Sequence, residues 1–299
     1  MHDVIIAGGG PAGTSAASML ARLRRKVLLI DAGQGRNATA DSVHNLIGSD
    51  GAAPAALRAT WQAELDRYPD AVTVRGEVRF LSGGPDAFEA RLADGTVERA
   101  RRVVLATGVR DVLPPVPGLA ELWGSSVLHC VYCHGWEVRD QPLAVLARTG
   151  EEADWAMSLR RFSTDLMVLT DGNGAAIADK DRLAEHGVDL LDEPLERFHR
   201  SARHGVVIET RSGRRVPRRA VFVVPDVRQR SDLAATAGCR FADNGLVLVD
   251  SLQRTSVPGI RAIGDMAKPV QARVKAMQVV VAAAEGVNVA VALDAELAG

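Results

Sequence analysis

Apolar residues in this chain gather in short unbroken runs that end in glycine, rather than alternating with polar ones. Val4-Ile5-Ile6-Ala7 runs into Gly8-Gly9-Gly10-Pro11-Ala12-Gly13, and Val27-Leu28-Leu29-Ile30 follows. Between them Ala16, Ala17, Leu20 and Leu23 recur at helical spacing. Runs of this length without alternation suit strands covered on both faces, as in a parallel sheet. The pattern predicts strand, tight turn, helix and strand over residues 3–31. Arg22, Arg24, Arg25 and Lys26 fall at the helix end, where its dipole favours cations. Similar runs stand at Val103-Val104-Leu105, Leu143-Ala144-Val145-Leu146, Leu166-Met167-Val168-Leu169 and Val221-Phe222-Val223-Val224. The class is therefore α/β.

The spacing G-x-G-x-x-G runs through Gly8, Gly10 and Gly13, directly after a strand and opening a helix at Pro11 and Ala12. In that context the glycines allow the tight turn, close approach of a pyrophosphate and close helix–strand packing. Asp31, at the end of the second strand, is placed to accept from adenosine ribose hydroxyls. An internal repeat is also visible. Phe88 to Gly108 reads as a hairpin with an Asp94-Gly95 turn, a basic stretch and a buried strand; Val206 to Asp226 repeats it with Ser212-Gly213 and Arg218-Arg219. A second dinucleotide fold is thus expected, and 299 residues are long enough for two domains. Its glycines are gone. The equivalent positions hold Ala147, Thr149 and Glu152, with Glu151 and Glu152 in the first helical turn. Carboxylates there satisfy the helix dipole themselves and repel a diphosphate. After the next strand the chain reads Thr170-Asp171-Gly172, where a 2′-phosphate needs arginine.

A net charge of −1 gives no reason to expect nucleic acid or an anionic membrane as partner. No signal segment precedes Val4, and the apolar stretch from Val279 to Leu293 is interrupted by Glu285 and Asn288. Three cysteines make no extracellular framework. A soluble, cytoplasmic protein is expected.

Two of those cysteines form Cys130-Val131-Tyr132-Cys133-His134. Such a pair can close a small disulfide and hold one sulfur as a thiolate. The imidazole of His134 titrates near neutrality and can take a thiol proton. A zinc site using His129, Cys130, Cys133 and His134 is the competing reading; adjacent ligands strain the tetrahedron, so no metal is expected. Glu137 either pairs with His134 or caps a turn. Tyr132 and Trp136 are either core aromatics or walls of a substrate entrance, while His44 reads as packing near the cofactor. Cys239 reads as a small, partly buried residue.

These features, with Ile263-Gly264-Asp265 closing a late strand, resemble the flavoprotein disulfide reductase family. The order of parts over nearly the whole chain is that of low-molecular-weight thioredoxin reductases. The resemblance implies two Rossmann-like, three-layer ββα domains, with a discontinuous FAD-binding domain (1–112 and 244–299) around a middle domain (113–243) that carries the dithiol. In the family the middle domain binds NADPH; here the missing motif implies that this is lost. FAD is the implied cofactor, with Asp265 on its ribityl-pyrophosphate region. Ser42-Val43-His44-Asn45 looks like the flavin-contacting asparagine segment, and Met277-Gln278-Val279 like an Arg-Gln-Ala helix start whose arginine is here Met277. The implied cofactor residues are Gly8, Gly10, Pro11, Ala12, Gly13, Asp31, Arg36, Asn45, Val78, Ala106, Gly108, Asp265, Gln278 and Val279. By position Cys133 is the flavin-proximal sulfur and Cys130 the exchanging one.

Cys-x-x-Cys-His-Gly-Trp-Glu further resembles the dithiol oxidases that close disulfides in natural products such as gliotoxin, holomycin and romidepsin. That implies Cys130, Cys133 and His134 as catalytic residues, a small-molecule dithiol as substrate, dioxygen as acceptor and a homodimer. The competing functions are a disulfide reductase with a donor other than NADPH, and a flavin-holding redox sensor.

Overall fold

The computed structural model describes residues 1–298 and divides into two units. One comprises Met1–Ala38, Asn45–Asp111 and the chain from Val227 onward; the other comprises Thr39–His44 and Val112–Asp226.

The first unit is built on a seven-stranded sheet. Its order is Ala71–Arg75, Val27–Asp31, His2–Ala7, Val97–Leu105, Phe88–Leu92 and Val78–Ser82, with Ile260–Ala262 also paired to Val97–Leu105. The central strands are parallel, in registers such as Val4↔Val27 and Ile5↔Val103. Strand alternation sends Ile5, Leu28 and Leu105 into one core, and Val4, Ile6, Leu29 and Val104 into another. That is why the runs are apolar throughout. The second core is closed by helices Pro11–Arg22 and Val279–Ala298, through Ala16, Leu20, Val289 and Leu293. Gly286 permits their approach, since a Cβ there would lie 2.3 Å from the Ala12 carbonyl oxygen.

The first core also takes in Leu233, Ala234 and Cys239. Residues 227–243, assigned from sequence to the middle domain, therefore pack with the first unit. Their apolar side chains carry no periodicity that names a host.

The second unit has a five-stranded parallel sheet, in the order Val188–Leu191, Leu166–Leu169, Leu143–Leu146, Ala220–Val223 and Val127–Leu128. A separate antiparallel sheet is formed by Leu195–Ser201, Gly205–Thr210 and Arg215–Arg218. The repeated turns match in detail: Gly95 has φ of 89° and Gly213 of 88°. Where the first copy runs through Val97–Leu105 as one strand, the second breaks into Arg215–Arg218 and Ala220–Val223. The segment Thr39–His44 joins this unit. At Gly124 (φ 83°) a Cβ would lie 2.5 Å from the Thr39 carbonyl oxygen, so no larger residue fits there.

Candidate functional site

Two of the motif glycines that form the first unit's cradle, Gly8 and Gly13, stand where no larger residue fits. Gly8 has φ of 111°, and a Cβ on it would lie 2.3 Å from the Ala106 carbonyl oxygen. A Cβ on Gly13 would lie 1.9 Å from the Gly8 oxygen. Gly10 is the opposite case, with nothing within 4 Å of its Cβ direction. It is also the N-cap of helix Pro11–Arg22, with no side-chain cap and no acid in the first turn. The free N–H groups of that turn suit an anion. Ala12, Ala106 and Gly108 (φ 70°) lie in the segments that build this cradle.

Asp31 stands beside it, accepting from the main-chain N–H of Gly9 and Gly33, both at 3.1 Å. Its other oxygen accepts from Arg58 Nη2 at 2.6 Å, while Arg58 Nη1 reaches the Gly9 carbonyl at 3.2 Å. Arg58 went unnoticed in the sequence, for nothing local marks it as a partner of Asp31.

Arg36 gathers a second cluster. It makes a bidentate pair with Asp111 (Nη2–Oδ1 2.6 Å, Nε–Oδ2 3.0 Å) and donates from Nη1 to Asp265 at 2.9 Å. Burial opposes its charge, but Asp111 and Asp265 outweigh it and raise its pKa above the ordinary value. The same Nη1 lies 3.0 Å from Met277 Sδ. The guanidinium missing at position 277 is thus matched nearby by one from position 36. The Gly264 peptide is clamped from both sides: its N–H donates to Glu285, its oxygen accepts from Lys275 Nζ, and Lys275 pairs with Glu285 at 2.7 Å. Lys275 and Glu285 were also missed.

Asn45, in the left-handed region at φ 61°, donates from Nδ2 to Gln278 Oε1 at 2.9 Å. Two residues singled out separately are thus joined, just ahead of the helix that starts at Val279. Val78 differs from the rest. Its side chain is in the core, leaving only its main chain for a ligand.

The corresponding place in the second unit is filled by the chain's own groups. Thr149, the N-cap of helix Gly150–Leu159, accepts from Glu152 N–H at 3.3 Å. The Glu152 carboxylate reaches back to the Arg148 main-chain N–H and to Arg148 Nη2. This is a capping box shifted by one residue, and it occupies the helix end where a pyrophosphate would dock. Asp171, which a ribose would need, instead accepts from Leu195 N–H at 2.6 Å.

The dithiol lies in the same unit. Cys130, extended at the end of strand Val127–Leu128, caps the short helix Val131–His134. Cys130 and Cys133 form a disulfide with Cα atoms 5.2 Å apart. Val131 is the anchor, buried with Leu128 and Val138. Gly135 is required beneath, since a Cβ would lie 2.6 Å from the Val131 oxygen and 3.0 Å from the Phe162 ring. Tyr132 and Trp136 are 71% and 64% exposed, which removes the core reading for both. Arg139 stacks over Trp136 at 3.9 Å, and His129 stacks on Trp123.

His134 faces His44 edge-on, with ring centroids 6.2 Å apart and planes at 89°. His44 Nε2 lies 2.8 Å from Ser42 Oγ, and Nδ1 lies 3.5 Å from Glu137 Oε1. Glu137 therefore makes its close ion pair with His44, while its charge also acts on His134. His44 belongs to the same unit as the dithiol, while its neighbour Asn45 belongs to the first unit. Burial pushes the His134 pKa below its usual value and His44 adds to this, against Glu137 and Asp41, which raise it. The imidazole is thus held neutral, in the form that accepts protons. Cys239 is buried in the first unit's core, where burial raises its pKa away from thiolate chemistry.

Residues 2–286 match the pyridine nucleotide-disulphide oxidoreductase family. The chain belongs to that family. It is 34% identical over 276 residues to thioredoxin reductase tcpT of Claviceps purpurea, covering 88% of this chain and 86% of the relative. It is 30% identical to thioredoxin reductase aclD of Aspergillus oryzae, covering 98% of each. The crystal structure of HlmI superposes with a TM-score of 0.90 at 38% identity, covering 99% of this chain and 92% of HlmI. The two Rossmann-like domains are therefore those of a flavoprotein disulfide oxidoreductase, and the cofactor is FAD.

The first unit's residues fit that cofactor: a glycine cradle open at Gly10, an uncapped helix end and a carboxylate, Asp31, held beside the glycines. An Asp31 that also meets a ribose would have that second use only with a flavin bearing adenosine. Heat release followed by chromatography is expected to yield FAD, and FMN as the sole flavin would remove the role given to Asp31. Among the described residues no helix is long and apolar enough to cross a membrane.

Proposed function

We propose that this protein is an FAD-dependent dithiol oxidase that closes an intramolecular disulfide in a small-molecule dithiol of the natural-product type. The electrons go to dioxygen, so that dithiol and dioxygen give disulfide and hydrogen peroxide. The observation that carries this reading is the helix end at Thr149, capped by Glu152, which leaves a nicotinamide cofactor's pyrophosphate no place to dock. On this reading electrons enter at the dithiol. Bound FAD supplies the two-electron relay from the dithiol to dioxygen.

The chain's own residues carry the rest. Neutral His134 takes the proton of the incoming thiol. The thiolate attacks Sγ of Cys130, and the Cys130–Cys133 bond breaks with its electron pair on Cys133 Sγ. Attack of the second substrate thiolate on the mixed disulfide completes the product.

Anaerobic additions separate this from its alternatives. A small dithiol is expected to bleach the flavin, NADPH and NADH are not, and admitting air should restore the colour with one hydrogen peroxide per dithiol. Bleaching by a nicotinamide cofactor but not by dithiol would make the protein a reductase. No bleaching by any of the three would overturn the oxidase reading and favour a redox sensor.

A further inference from the structure

Closing one disulfide takes two protons from two thiols, and a single imidazole holds one. The first thiol of the substrate loses its proton to His134, its thiolate bonds to Cys130 Sγ, and Cys133 Sγ leaves as a thiolate. The second thiol then loses its proton, its thiolate bonds to the first substrate sulfur, and Cys130 Sγ leaves with the remaining pair. If the first proton returned to Cys133 Sγ it would quench the thiolate that must pass electrons on. His134 therefore has to be cleared between the two thiols.

We propose that His44, held by Glu137 and Ser42, is the positioning residue that clears it, receiving the proton from His134 onto the His44–Glu137 pair; this deepens the oxidase reading and rests on it. Geometry supports the assignment. The His44 and His134 rings meet at right angles, 6.2 Å between centroids. Its two nitrogens are held separately, one by Ser42 Oγ at 2.8 Å and one by Glu137 Oε1 at 3.5 Å. The His44 side chain is 16% exposed and that of Glu137 33%, so the pair leads from the site toward solvent. The charged and titratable groups acting on His134 are Glu137, His44 and Asp41, and both acids favour a proton in this cluster. Nothing in the disulfide exchange itself requires a second histidine, a serine and a carboxylate in series. Moving a proton away does.

The test follows reduction of the Cys130–Cys133 disulfide in the FAD-loaded protein by dithiothreitol. Thiol trapping and mass spectrometry read the disulfide from about pH 5 to pH 9, and flavin absorbance is recorded alongside. His44→Phe keeps a ring against His134 but cannot take a proton. It should lower the rate at neutral pH by roughly tenfold to a hundredfold, less than loss of a whole general base. The acid limb of its pH profile should fall from a two-proton to a one-proton dependence, and added imidazole should restore part of the rate. Glu137→Gln, at a half-exposed position that threatens folding less, should shift the limb in the same direction. An acid limb unchanged in both variants would overturn the proposal, whether or not the rate falls. Thiol trapping reads the disulfide directly, so failure of the oxidase reading appears in the flavin signal and failure of this one in the pH profile.

Discussion

Cys133→Ser is expected to leave a folded, yellow protein whose dithiol oxidation has dropped to the uncatalysed background. The pair is joined in a disulfide on a four-residue helix anchored by Val131, and neither sulfur has a substitute nearby. The remaining cysteine, Cys239, is buried in the other unit's core. The hydroxyl of serine cannot form the disulfide or act as a thiolate, so no two-electron exchange is left. Cys130→Ser should be equally inactive but for a different reason. It removes the sulfur assigned to exchange with substrate and leaves Cys133 in place. Long-wavelength absorbance from a thiolate against the flavin should therefore persist in Cys130→Ser and vanish in Cys133→Ser. Appreciable turnover in either variant would show that the substrate reaches the flavin without the dithiol.

His134→Ala should keep the disulfide and the flavin but lose about two to four orders of magnitude in rate, the usual worth of a general base. The pH dependence fixes the cause. Burial lowers the His134 pKa, so the wild-type base stays neutral and active at pH values below the ordinary imidazole range, losing rate only as pH falls through that lowered value. Without it, the variant depends on thiols that ionise unaided, so its residual rate should climb steadily with pH. Rates measured across that range with one dithiol decide the matter. A variant with wild-type rate and profile would make His134 structural.

What the sequence made legible was whatever local pattern controls. Gly8 and Gly13 are read from spacing because only glycine tolerates the approach of Ala106 and of the Gly8 oxygen, and Gly10 because it leaves the helix end open. The lost second motif was equally plain, since Glu152 caps a helix from three residues inside it. Asp31 was correctly expected beside the glycines, but Arg58, its ion partner 27 residues on, was invisible. The Arg36 cluster joins positions separated by 75 and 229 residues, and a charge has no periodicity to announce a partner that distant. The partners of His44 were hidden too: it adjoins Asn45, but the chain leaves one unit for the other between them, and its contacts are with Ser42 and Glu137. Residues 227–243 misled in the same way, because where a chain crosses between units is set by long-range packing.

The self-capped helix at Thr149 also bears on how this protein senses its surroundings. A fold that binds a ligand gains stability in proportion to the logarithm of that ligand's excess over its dissociation constant, so its melting temperature follows supply. A helix end satisfied by Thr149 and Glu152 draws on no such supply. Its backbone donors are met at every nucleotide concentration, in starved and well-fed cells alike. If the protein works as the proposed oxidase, this device insulates the middle domain from the ratio of reduced to oxidised nicotinamide, so that its stability should not change when either form is added.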